Sequence, residues 1–104
     1  MEKIFWITYR IHDDTDYDER YENFIEKIEE VSTAQWKNDT TSFHIIESNF
    51  NIDRIASSLS SVLFEHKDHF LIRRMNYQNA VYFGLDSEFE NLKKFINYVR
   101  KFSS

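Results

Sequence analysis

Residues 36–48 read WKNDTTSFHIIES, and the fold turns on how this stretch is taken. A polar turn leads into a run in which Phe43 and Ile45 point one way and His44 and Ile46 the other. That period of two predicts a β-strand. Apolar groups on both faces predict a strand inside a sheet, covered on both sides, rather than one at an edge.

Upstream, residues 3–11 (KIFWITYRI) predict the first strand. Phe5, Ile7, Tyr9 and Ile11 share one face, and Ile4, Trp6, Thr8 and Arg10 the other. If helices cover the first face, Ile4 and Trp6 need a further cover, from the C-terminal segment or from a second chain. The acidic loop HDDTD (12–16) offers Thr15 or Asp16 as a helix cap. From Tyr17 to Val31 the apolar positions Tyr17, Tyr21, Phe24, Ile25, Ile28 and Val31 fall at gaps that build a helical stripe. Residues 32–41 read as a polar connection holding Trp36.

Downstream, Asn51 is a candidate cap for a short second helix with Ile52, Ile55, Ala56, Leu59 and Leu63 at helical spacing, ending near Phe64. HFLIRRM (69–75) predicts a third strand, Asn76–Asn79 a turn, and Ala80–Leu85 a short fourth strand. Ser87 and Glu90 have the spacing of a capping box that opens a last helix. Its stripe would be Phe89, Leu92, Phe95, Ile96 and Val99. These elements predict one α+β domain over residues 1–104. The architecture expected is a ferredoxin-like sandwich, with an antiparallel or mixed four-stranded sheet, two helices and an added C-terminal helix. One feature does not fit: a helix stands between the second and third strands, where a plain ferredoxin-like fold has a hairpin.

Composition narrows the chemistry. The chain has 104 residues, with 17 % aromatic and 41 % hydrophobic residues, enough for a packed core despite 30 % charged residues. Cysteine is absent, which removes disulfides, thiolate metal sites and cysteine nucleophiles and fits a reducing, cytoplasmic setting. Gly84 is the one glycine, so Gly-rich phosphate loops are excluded. No apolar run approaches the roughly 18 residues of a membrane span, and no leader pattern opens the chain. A soluble, unprocessed protein away from membranes is expected.

The net charge of −5 is uneven: residues 1–40 carry 11 acids against 5 bases, and residues 41–104 carry 7 against 8. An acidic first half is a poor nucleic-acid surface. It reads as a solvated helix face or as a surface for a basic partner.

The succession KIFWITYRIH, DYDERYENFIEKIEE, WKNDTTSFHIIES, IDRIASSLSSVL and DHFLIRRMNY with a following AVYFG resembles the small SinR-like proteins, relatives of the CRISPR-associated Cas-two nuclease family. The resemblance covers roughly residues 3–84. It implies a ferredoxin-like domain that dimerises through its sheets, and work on nucleic acid. In that family an Asp closes the first strand, and paired Asp residues across the dimer would hold a divalent cation such as magnesium. Here Arg10 stands at that place, and a guanidinium does not bind a cation. Asp13 and Asp14 follow in the loop as substitute ligands for a weak metal site.

Other candidates are weaker. His66 and His69 form the one close pair among four histidines, short of the three or four ligands zinc needs. His44 reads as a strand residue with one hydrogen bond rather than as a base. Counting from Asp13, position six is Asp18 and position twelve is Phe24, so the acidic loop is not an EF-hand. Arg73 and Arg74, beside Asn76 and Tyr77, have the makings of a phosphate- or partner-binding group. Ser42, next to Thr40 and Thr41, lacks the turn and the base of a nucleophile.

Three functions follow. The first is a non-catalytic, degenerate member of the family, needing no cofactor and acting through protein contacts as a homodimer. The second is a metal-dependent endoribonuclease using magnesium. The third is an acidic inhibitor or antitoxin-type protein that binds a basic partner or a nucleic-acid channel.

Overall fold

The computed structural model describes residues 3–37, 42–75, 80–82, 85–96 and 98–102. In chain order the elements are β1 (Lys3–Arg10), α1 (Tyr17–Val31), β2 (Ala34–Lys37), β3 (Phe43–Ser48), α2 (Ile52–Ser60), β4 (His69–Arg74), β5 (Ala80–Tyr82), α3 (Asp86–Leu92) and β6 (Val99–Lys101). The first four strands form one antiparallel sheet in the order β2-β3-β1-β4. This is an α+β fold of the ferredoxin-like kind: two split strand–helix–strand units joined by the β2–β3 hairpin.

That hairpin corrects the sequence reading. The connection assigned to residues 32–41 contains a strand, Ala34–Lys37, paired antiparallel with β3 from Ala34↔Glu47 to Lys37↔His44. The missing element was therefore β2, and α2 belongs to the second unit. β2 was hidden because Ala, Gln and Lys are poor strand formers, leaving Trp36 as the sole indicator. Short, half-exposed and bearing a lysine, it has the character of an edge strand. Thr33 extends the ladder by donating its backbone N–H to the Glu47 carbonyl at 2.7 Å.

β3 lies between β2 and β1, as its two apolar faces predict. One face of the sheet, with Phe5, Ile7, Tyr9 and Ile46, packs under Phe24, Ile28 and Val31 of α1 and Ile55 and Leu59 of α2. Phe24 and Ile28 are fully buried, each worth roughly 1.5–3 kcal/mol relative to exposure. On the other face Ile45, with Ile4, Trp6, Trp36 and Phe43 around it, packs against Leu92, Ile96 and Val99. Of the two covers Ile4 and Trp6 allowed, the C-terminal segment is the one found. Both residues remain half-buried.

The last helix differs from its prediction. α3 ends at Leu92, and its N-cap is Leu85 with no side-chain cap, so the Ser87–Glu90 capping box does not form. Ile96 and Val99 keep their inward positions, but Val99 does so from β6, which pairs parallel with β5 from Ala80↔Val99 to Tyr82↔Lys101. Aromatic and β-branched residues at 98 and 99 suit an extended chain better than a helix. The expected turn at Asn76–Asn79, and Phe83 and Gly84, lie outside the described residues. Among the described residues no helix is long and apolar enough to cross a membrane.

Candidate functional site

At the end of β1 the chain turns through residues 12–16 into α1, and this loop meets the α2–β4 loop. Asp14 organises the turn: its side chain accepts the Asp16 backbone N–H at 3.1 Å, and its carbonyl accepts that of Tyr17 at 3.2 Å. Arg20, one turn into α1, points back into the junction and is 4 % exposed. It donates Nη1 to Asp14 Oδ1 at 2.9 Å, Nη2 to the His12 carbonyl at 2.9 Å, and Nε to Asp68 Oδ2 at 3.1 Å. Asp68, also buried, accepts the backbone N–H groups of His12 at 2.8 Å and Phe64 at 2.9 Å. Lys67 Nζ takes the second oxygen of Asp14 at 2.6 Å. The Phe64 ring lies 5.5 Å from the Arg20 guanidinium and 5.0 Å from the Lys67 ammonium.

Two cations and two carboxylates therefore balance. The Arg20 and Lys67 hydrogen bonds hold the Asp14 carboxyl well below the usual carboxylate range. For Asp68, burial works to raise the carboxyl, but the Phe64 and His12 N–H groups and Arg20 outweigh it and hold it down. The arrangement ties three segments together and spends its polar atoms on one another.

Asp13 stands exposed beside this network, while Asp14 faces into it. Among the described residues no three His, Asp or Glu side chains converge as a metal site. Arg10 is exposed and pairs across the sheet with His69. Arg73 pairs with Trp6, four residues further along, which separates it from Arg10 by roughly 13 Å at the usual rise per strand residue. Arg74 pairs with Phe5 and so lies on the opposite face, where with Lys3, Phe5, Asn51 and Ile52 it lines a cavity of about 170 Å³. The expected arginine group is thus divided between two faces. Asn76 and Tyr77, and likewise Thr40 and Thr41, lie outside the described residues.

His44 is buried under the helices with both ring nitrogens engaged. Nδ1 meets Gln35 Oε1 at 3.2 Å, and Nε2 meets the Tyr9 hydroxyl at 3.1 Å. An amide oxygen only accepts, so Nδ1 carries the proton and the tyrosine hydroxyl donates to Nε2. Burial, and after it the charge of Lys37, push the imidazole down to about 4. Burial chiefly, with Tyr21 and Tyr17 adding to it, pushes the Tyr9 phenol up. His44 makes two hydrogen bonds, one more than its sequence position led us to expect, and holds a neutral ring.

Sequence reasoning passed over Arg20 and Asp68. Arg20 did carry a signal, since it falls four residues before Phe24 on the α1 stripe, and a charge on an apolar stripe implies a buried partner. Asp68 stands between His66 and His69 and opens the DHFLIRRMNY stretch, but nothing in the sequence points to its pairing with Arg20. In comparison with known proteins, no family model and no curated protein matches the chain.

Proposed function

We propose that the chain is a non-catalytic member of the Cas-two/SinR-like group that acts in the cytoplasm through protein contacts, as a homodimer. The observation that carries this reading is an exposed apolar group on the C-terminal unit. Val81, Leu85 and Phe102 are 48 %, 70 % and 50 % exposed. Val99 turns inward, so alternation sends Arg100 and Phe102 outward with Val81, the cross-strand partner of Arg100. Phe102 is held there by its backbone N–H, which donates to the Tyr82 carbonyl at 2.7 Å. Val81 and Phe102, exposed on the short sheet, and Leu85, exposed at the start of α3, are natural anchors for a second copy, and two-fold closure is the commonest way to cover such groups.

The end of β1 supports the non-catalytic part. Arg10 puts a cation where the resemblance calls for an acid, and Arg20 and Lys67 already hold both oxygens of Asp14. Sedimentation over a wide concentration range tests the dimer. A species of twice 12.7 kDa is expected, with Val81→Lys/Phe102→Glu shifting it to the monomer. A 12.7 kDa species alone at every concentration would overturn the reading.

A further inference from the structure

We infer that the outer edge of β4 takes up an extended, acidic peptide segment of another protein as a fifth strand. The inference rests on reading the chain as a protein-contact module but not on the dimer, whose apolar anchors lie on the C-terminal unit.

The backbone comes first. β4 ends the sheet, and among the described residues no strand pairs with its outer side. Met75 donates its N–H to the Ile4 carbonyl at 2.8 Å. In an antiparallel ladder, opposed residues alternate between pairs that exchange hydrogen bonds and pairs that do not. His69, Leu71, Arg73 and Met75 therefore bond toward β1, while Phe70, Ile72 and Arg74 turn their N–H and C=O groups outward. Those three residues present a row of donors and acceptors ready for a strand. Leu71, 58 % exposed at the middle of β4, adds an apolar contact on one face.

Charge then selects the occupant. Residues 69–75 include two arginines and a histidine but no acid. On the helical face Arg74 shares its cavity with Lys3, and no acidic side chain lines it among the described residues. On the other face Arg10 stands next to His69. The nearest acid in sequence, Asp68, is buried and held by Arg20. A strand with carboxylates between apolar residues would meet Arg74 and Lys3 at the far end of β4, whereas at its start Glu65 lines a cavity with His69 and Phe70, so the acids are expected opposite Arg74.

The same charges argue against a second copy at this edge. Two β4 strands paired antiparallel about Ile72 would set Arg74 against Phe70 and gather four arginines in one ladder. Edge cations of this kind keep sheets from pairing with themselves. The strand β6, Val99–Lys101, is itself basic and already paired with β5.

The test uses the full chain and a fluorescent peptide of alternating glutamate and valine. Controls are the same peptide with lysine for glutamate, and one N-methylated at alternate residues. The glutamate peptide should bind saturably and shift the amide NMR signals of Phe70, Ile72 and Arg74. Arg74→Glu should weaken it by about tenfold or more, as loss and reversal of a charge partner implies. Absence of saturable binding, equal binding of the lysine peptide, or unchanged binding of the N-methylated peptide would each overturn the inference. Binding retained by a chain that sediments as a monomer would support the edge and overturn the dimer. A dimer that ignores the glutamate peptide would overturn the edge alone.

Discussion

Arg20 meets Asp68 side-on, Nε to Oδ2 at 3.1 Å and Nη2 to Oδ1 at 3.3 Å, across 48 positions of the chain. The pair closes the end of the sheet: it joins α1 to the α2–β4 loop, and the same two side chains hold the backbone of His12 and Phe64 in place.

Asp68→Ala should therefore be costly. It leaves a guanidinium buried with one carboxylate lost, and it frees two backbone N–H groups. A drop in melting temperature of roughly 10 °C or more is expected for a domain of this size. Asp13→Ala, at an exposed neighbour in the same loop, should leave the melting temperature nearly unchanged. Thermal unfolding followed by circular dichroism compares the two.

His44 sets a pH dependence. Its folded-state value of about 4 lies below the ordinary histidine value of 6.5, so between those limits the unfolded chain binds more protons than the folded one. The stability from the neutral ring is complete above pH 6.5 and is lost as pH falls toward 4. Asp14 and Asp68, held low, add a loss of their own only below the usual carboxylate range. Melting temperatures measured from pH 7 to 4 should fall, and His44→Phe should flatten the slope in that window. An unchanged slope in the variant would contradict the neutral, buried assignment.

Trp36 packs against the C-terminal cluster from β2, and its buried indole N–H finds no hydrogen-bond partner among the described residues. Trp36→Ala should destabilise by about 2 kcal/mol, below the roughly 3–5 kcal/mol of a fully buried large aromatic group because the site is half-buried. Trp36→Phe should be close to neutral, since it keeps most of the packing and removes an unsatisfied donor. Urea unfolding of both variants tests this. A Phe variant as damaged as the Ala variant would show that the indole N–H has a partner.

The elements legible in the sequence were those with strong periodicity. α1 runs from Tyr17 to Val31 as its stripe requires, β3 is interior as its two apolar faces require, and Asn51 caps α2 by accepting the Arg54 N–H at 2.8 Å. What escaped was set by partners distant in the chain. AQWK becomes a strand because β3 offers it an edge, not because its residues favour one. Val99 leaves the helical pattern because Ala80 offers a parallel neighbour. At the candidate site, the sequence drew attention to Arg10, Asp13 and Asp14 because they stand where a metal site would be. Arg20, which engages Asp14, resembled the other charges of α1, and Asp68 lay hidden between His66 of the loop and His69 at the start of β4.

Under the proposed reading, this end of the sheet carries no metal chemistry and the protein works by contact. The direct measurement is incubation of the purified chain with single- and double-stranded RNA and DNA, with and without magnesium or manganese. Asp13→Ala, Asp13→Ala/Asp14→Ala and Arg10→Asp variants run alongside, each checked for folding by circular dichroism. The wild type is expected to cleave none of them above background. Metal-dependent cleavage by the wild type that disappears in a folded Asp13→Ala or double alanine variant would contradict the account and establish the nuclease in its place.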